Sequence, residues 1–252
     1  MKGRLYLMPN TLDFGVEGAT VDLQDVLPLH AIRVAARLTH WAAENAKTTR
    51  AFLKRVDAVQ PLALPLQSIQ ITELPRPPKG RSEAASPQDW SRLLAPALEG
   101  QDLGLISEAG LPAIADPGAL LVAAAHAAGI EVTCFSGPSS LLMALACSGL
   151  NGQSFAFVGY VPAEPQARTA RIRELEALSL KLGQTQLMIE TPYRNSALLQ
   201  ALLAALKPGT RLSVSCGLSL PGGFTRSATV AEWRTRKKEL PDKVPAVFAL
   251  LA

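Results

Sequence analysis

The chain predicts an α/β fold divided into two α/β domains, and three observations carry that expectation. Short apolar runs rich in strand formers alternate with helical stretches along the 252 residues. Glycines and prolines stand at the joins between them, where a chain changes direction. Beyond residue 137 the runs lengthen and residues 212–230 take on a hairpin-like pattern, which places the division at 1–137 and 138–252.

Taken in order, the strand-like runs are 5–8, 103–107, 131–135, 155–160, 186–189, 212–215 and 246–251, each too short to stand as an independent helix. Helical stretches lie at 45–56, 117–128, 138–148, 167–182, 193–206 and 231–240. In the first half their alternation implies a largely parallel sheet. Asp116 before Pro117, and Ser136-Gly137 before Pro138, read as N-caps next to a proline at the first helical position. Gly129 and Gly149 read as left-handed helix ends. The proline-rich stretch 72–87 cannot be a regular element and reads as a long surface loop, a lid or an insertion.

Composition narrows the class. An apolar content of 48% supplies real cores without staples. Cys134, Cys147 and Cys216 are odd in number, lack CxxC pairing and lie in apolar stretches, so they read as buried free thiols rather than a disulfide framework or zinc site. No run reaches the length of a membrane span, and Pro9-Asn10 interrupts any secretory core, so a cytoplasmic protein is expected. The net charge is +4. Its basic residues gather at Arg76, Lys79 and Arg81, and again at Arg226, Arg234, Arg236, Lys237, Lys238 and Lys243; each group reads either as a phosphate-tracking surface or as a solvated face. His30, His40 and His126 are scattered and suggest no metal site.

Two segments speak of chemistry. Residues 104–118, GLISEAGLPAIADPG, and Ser136-Gly137-Pro138-Ser139-Ser140 each read as a strand end, a tight loop and a helix start. Ligands of open α/β sheets bind at such carboxyl ends. Gly110, Gly118 and Gly137 allow close approach to the backbone, while the prolines fix the loops in advance. Neither loop is a GxxxxGK[ST] or GxGxxG cradle, so the expected guest is held by main-chain amides and carbonyls rather than through a dinucleotide motif. Val substituted at Gly110 or Gly137 should then block the guest and spare the fold. Ser139 and Ser140 lack a GxSxG elbow and a nearby histidine, which argues against a serine hydrolase.

These segments, together with SGPSSLLMALACSGL at 136–150, SFAFVGYVP at 154–162 and QLMIETPYR at 186–194, resemble the successive signatures of the tetrapyrrole methylase superfamily of S-adenosylmethionine-dependent methyltransferases. The branch they resemble holds the ribosomal RNA small subunit methyltransferase I enzymes, with SDAGTPxIxDPG, PGPxAxxxALxxSGL, FxFxGFLP and YESPHR. Residues 5–11, LYLMPNT, stand where that branch has LYxVPTPIGN. The likeness runs in order through essentially the whole chain.

The resemblance implies a two-domain protein that clamps a folded S-adenosylmethionine between its domains, and a homodimer. By position it nominates Pro9, Ser107, Ala109, Gly110, Leu111, Pro112, Asp116, Gly137, Pro138, Ser139, Ser140, Met188, Ile189, Pro245 and Ala246 as cofactor-binding. A sulfonium methyl is already activated, so transfer chiefly needs an aligned acceptor. A hydroxyl acceptor also profits from a base, for which Glu44, Glu108, Glu190 and Tyr193 are the candidates; each reads equally as a capping or loop-bonding group.

The likeness departs where substrate is expected to bind. The branch's charged AREhTKxxE gives way to Ser215-Cys216-Gly217-Leu218-Ser219-Leu220-Pro221-Gly222-Gly223, and its AEDTR to Ala43-Glu44-Asn45-Ala46-Lys47. Cofactor segments are kept in type while substrate segments have changed. RNA methylation on a ribose hydroxyl is the leading expectation. A tetrapyrrole carbon is a second acceptor, against which stands the lack of an opening VGxGPGDP. A relative that binds without catalysing is the third reading.

Overall fold

The computed structural model describes residues 1–13, 20–75, 87–236 and 239–252. The basic stretch at Arg76, Lys79 and Arg81, and Lys237 with Lys238, lie outside the described residues. One compact unit runs to Pro138 and a second spans Ser139–Ala252.

The first unit contains β1 (Arg4–Met8), α1 (Leu23–Val26), α2 (Leu29–Arg37), β2 (His40–Ala43), α3 (Ala46–Val59), β3 (Gln70–Glu73), α4 (Pro87–Leu93), α5 (Ala95–Leu98), β4 (Leu103–Ile106), α6 (Ala119–Ala127) and β5 (Glu131–Cys134). Its sheet has the order β3-β2-β4-β1-β5, with every pairing parallel. All carboxyl ends therefore share one edge. The two-residue period of a strand splits its apolar residues between two cores. Tyr6, Met8, Trp41 and Ile106 pack with α2 and α3, whereas Leu5, Ala42, Leu103 and Leu105 pack with α4, α5 and α6. Gly104 pairs with Trp41, and a Cβ there would lie 2.6 Å from the indole, so glycine is what lets that ring lie across β4.

The second unit contains α7 (Ser140–Ser148), β6 (Phe155–Tyr160), α8 (Pro165–Leu182), β7 (Thr185–Ile189), α9 (Asn195–Ala205), β8 (Arg211–Cys216), β9 (Phe224–Thr229), α10 (Val230–Thr235) and β10 (Ala246–Leu251). Its sheet runs β6-β7-β10-β8-β9; only β6 and β7 pair in parallel. Met188, Val214 and Phe248 face α8, α9 and α10, while Leu187, Val247 and Ala249 face α7. Residues 217–223 turn β8 back into β9. There a Cβ on Gly223 would lie 2.0 Å from the Gly217 carbonyl oxygen.

Several local expectations need correction. Neither Pro117 nor Pro138 opens a helix: α6 starts at Ala119 behind Gly118 at φ 136°, and α7 starts at Ser140 behind an extended Ser139. Asp116 is thus not an N-cap. Glu164 supplies the missing cap for α8, accepting from the amides of Gln166 at 2.9 Å and Ala167 at 2.6 Å, so this helix begins before residue 167. Only Cys216 is a buried thiol; Cys134 on edge strand β5 and Cys147 on α7 are exposed. Among the described residues no helix is long and apolar enough to cross a membrane.

Candidate functional site

The loops that leave β1 and β4 meet at the carboxyl edge of the first sheet. Asn10 and Gly110 exchange main-chain hydrogen bonds of 2.8 and 3.2 Å, an isolated antiparallel bridge. The buried Asn10 side chain adds donors to the carbonyls of Glu108 at 2.9 Å and Ser107 at 3.3 Å, and its Oδ1 accepts from the Thr11 amide at 2.9 Å. Gly110 sits at φ 68°, a conformation that only glycine adopts freely.

Further along the same loop Ala113 and Ala115 also lie in the left-handed region, at φ 66° and 65°. Each costs an alanine roughly 1–2 kcal/mol. Such strain collects where a loop is held in one shape for a purpose. At its start the hydroxyl of buried Ser107 has no hydrogen-bond partner among the described residues.

Three carboxyl groups gather here. Glu44, at the end of β2, accepts from the Glu108 amide at 3.0 Å while its own amide donates to the Ile106 carbonyl at 3.0 Å. Burial first, and then the charges of Glu44 and Glu108, push the Asp116 carboxyl up to about 7. Asp116 is therefore half-protonated near neutral pH, a property that proximity in space creates and chain order conceals.

A second anchor fixes the loop after β1. Arg55 of α3 donates to the Thr11 hydroxyl at 3.1 Å, to Asp13 at 3.1 Å and to the Val21 carbonyl. Burial alone would raise Asp13, but the Thr11 hydroxyl, the Val21 amide at 2.8 Å and the Arg55 guanidinium outweigh it and hold the group below its ordinary value. Asn10, Asp13 and Arg55 were not among the residues the sequence nominated. Asn10, Thr11 and Asp13, polar residues directly after an apolar strand, were the only signal of the first two, and Arg55 on α3 had none.

The nominated residues divide between the units. Pro9, Ser107, Ala109, Gly110, Leu111, Pro112, Asp116, Gly137 and Pro138 belong to the first, with Glu44 and Glu108. Ser139, Ser140, Met188, Ile189, Pro245 and Ala246 belong to the second, with Glu190 and Tyr193. Met188 and Ala246 direct their side chains into the second core. Glu190 is buried, paired with Arg194 at 2.8 Å and bonded by the Thr191 amide at 2.8 Å; those contacts commit the carboxylate to its own turn. Tyr193 is exposed. Asn195 donates to the Val244 carbonyl at 2.9 Å and so ties α9 to the segment before Pro245.

Gly137 has a different reason from the one its motif suggested. A Cβ there would stand 2.1 Å from the Pro9 Cβ, so the glycine makes room for Pro9. The fold therefore does not stay intact when it is enlarged: Gly137→Ala should cost ~1–3 kcal/mol, and Gly137→Val more. Chemical denaturation checks this, and an unchanged midpoint would refute the contact.

Comparison with known proteins adds the following. Residues 24–233 match the profile of the tetrapyrrole (corrin/porphyrin) methylases. The ribosomal RNA small subunit methyltransferase I of Halalkalibacterium halodurans is 29% identical over 205 residues, 81% of this chain and 61% of that protein. Its namesakes from Xylella fastidiosa strain Temecula1 and Vibrio cholerae are 50% and 38% identical over 33% and 43% of this chain, and 31% and 36% of theirs. The aligned part thus spans between 31% and 61% of these relatives' own length. Among solved structures, uroporphyrin-III C-methyl transferase from Thermus thermophilus complexed with S-adenyl homocysteine superposes with a TM-score of 0.55 at 18% identity, covering 99% of this chain and 97% of that one. At that identity the likeness is one of fold.

Proposed function

Because the chain belongs to the tetrapyrrole (corrin/porphyrin) methylase family, we propose that it is an S-adenosylmethionine-dependent methyltransferase acting on a ribose 2′-hydroxyl of RNA. The curated relatives' shared name supports the RNA acceptor. The observation that carries the reading is the loop 107–118, held in a strained shape with a buried, unsatisfied Ser107 hydroxyl at the carboxyl edge of a parallel sheet.

These residues fit the donor. The Ser107 hydroxyl is short of a partner, and the carboxyl groups alongside favour a sulfonium cation over a neutral guest. When bound, S-adenosylmethionine supplies an activated methyl group. Ser107 and Gly110, with Ser139, Ser140 and the backbones at Ile189 and Ala246, are the residues we assign to holding it. Asn10 positions Ser107 and Glu108 through their carbonyls. Asp116, poised near neutral pH, is suited to take a proton from the acceptor hydroxyl, and Glu44 and Glu108 sustain that affinity. A homodimer, a cytoplasmic location and a functional division at 1–137 and 138–252 accompany this reading.

Calorimetry with S-adenosylmethionine and S-adenosylhomocysteine tests the cofactor, and undetectable binding at millimolar ligand would refute every catalytic version. Ribose-methylation mapping of RNA from a deletion strain tests the acceptor. The expected result is the loss of a ribose methyl mark; an unchanged profile would overturn the RNA assignment.

A further inference from the structure

A cavity of about 660 Å³ opens in the second unit between α8, the turn joining α9 to β8, and Ala252. Arg173 and Lys181 line it from α8 and Lys207 from the turn. Arg173, Ala177 and Lys181 follow one another at intervals of four and so share a face of the helix. The small Ala177 between two long cations leaves a trough.

The charges in this trough are unspent. On the same helix Arg171 pairs with Glu174 at 2.7 Å. By contrast Arg173, Lys181 and Lys207 make no ion pair among the described residues. Glu176, the one carboxylate side chain in the lining, is buried and turned toward the chain: it accepts from the Lys207 amide at 2.7 Å and the Thr210 hydroxyl at 2.5 Å. Three cationic side chains thus stand against one acidic side chain that is already hydrogen-bonded. A Cβ on Gly209 would meet nothing within 4 Å, so the mouth is open at that side.

The spacing selects the guest. Arg173 and Lys181 lie eight residues apart, ~12 Å along the helix axis. One small anion would reach either of them but not both, whereas successive phosphates of a strand reach both. No aromatic side chain lines the trough, so bases have no platform for stacking and the contact is to backbone alone. Within this unit the trough sits at the Leu251 end of β10, about 17 Å of strand from Ala246.

We propose that this trough is a binding site for the phosphate backbone of an RNA strand, at the opposite end of β10 from Ala246. It rests on the RNA reading above and specifies a surface for it. The contact is independent of sequence: it supplies affinity and orientation and leaves the choice of nucleotide to other residues.

The test is fluorescence anisotropy with a short fluorescein-labelled single-stranded RNA across a salt series. The triple variant Arg173→Glu, Lys181→Glu, Lys207→Glu should bind at least ~10-fold more weakly at 0.1 M salt, and the slope of log affinity against log salt should become shallower by about 2. A neutral triple to Gln should show a smaller loss in the same direction and guards against misfolding. Cofactor affinity by calorimetry should not change in either. A control with the same change of net charge, Arg33→Glu, Arg50→Glu, Lys54→Glu in the first unit, should keep most of its RNA affinity. Equal loss in the control would overturn the proposal, since net charge would then explain the effect. Wild-type affinity and slope in the trough variants would overturn it too and leave the RNA reading standing. Competition by polyglutamate but not by unlabelled RNA would assign the trough to an acidic protein and overturn it as well. A wild-type protein that binds S-adenosylmethionine but no RNA would sink both readings together.

Discussion

Arg55→Ala is expected to cost ~3–5 kcal/mol of stability at neutral pH, because it leaves the Asp13 carboxylate buried without its cation. The Asp13 side chain is 3% exposed and pairs with Arg55 at 3.1 Å. The same guanidinium holds Thr11 and the Val21 carbonyl, so one substitution frees three anchors of the loop that carries Pro9 and Asn10. Arg55→Lys should recover only part of the loss, since an ammonium cannot span the three acceptors as a fork does. The pH dependence follows from the direction of the shift. Asp13 is held below its ordinary value of 3.8, so its contribution is present above that value and disappears as pH falls through the lower, folded one. In Arg55→Ala that acid limb should flatten. Urea titrations from pH 3 to pH 7 decide the matter; a loss below ~0.5 kcal/mol at pH 7 would place the variant among ordinary surface changes and refute the anchor.

Asp116→Asn is expected to act in the opposite sense. The folded protein holds a proton on Asp116 up to about pH 7, whereas the unfolded chain releases it near 3.8. Between those values the native state binds more protons, so this group's contribution is full below 3.8 and falls away as pH rises through 7. Asparagine removes the charge that is costly above that range. The variant should therefore gain on the wild type by ~1–2 kcal/mol between pH 5 and pH 8, a figure reduced from the full shift because the side chain is only partly buried. Glu44→Gln should shrink the same difference by removing one of the neighbouring charges. If Asp116 accepts the substrate proton, Asp116→Asn should also abolish the acid limb of the methyl-transfer rate near pH 7. Urea midpoints that move in parallel for variant and wild type at both pH values would dispose of the raised affinity.

The legible strands carry runs of apolar or strand-forming residues, whether buried like β4 or at a sheet edge like β5 and β6. All four residues of β4 are buried, and such a run shows as uninterrupted apolar sequence. β2, with His40 and two alanines, is short, and β3 is a polar edge strand, QITE, with little buried; neither has the composition that marks a strand. α2 escaped because Pro28 precedes it and no side chain caps it, although Ala31, Ile32, Val34, Ala35 and Ala36 all reach the core. Glycine and proline announced the two loops correctly, but not their shape. Local rules start a helix at Pro117 and Pro138; left-handed Ala113 and Ala115, which no propensity favours, delay the first. The chemistry of the site was the least readable part. Asp116 owes its proton affinity first to burial and then to the charges of Glu44 and Glu108, and Asp13 owes its low value to the Thr11 hydroxyl, the Val21 amide and Arg55 of α3. Both depend on packing that exists only after folding.

The order β6-β7-β10-β8-β9 also governs how the second unit comes to be. β8 and β9 can close as a hairpin as soon as they are made, and β6 and β7 need only the intervening α8. β10, the latest of the five in chain order, must then slot between two finished pairs, forming hydrogen bonds on both sides at once. Until it arrives, the inner edges of β7 and β8 stand open, and open edges are where chains join wrongly. The docking of Ala246–Leu251 should therefore limit the rate of folding of this unit, and a slip of one residue there would exchange Phe248 and Val247 between opposite cores.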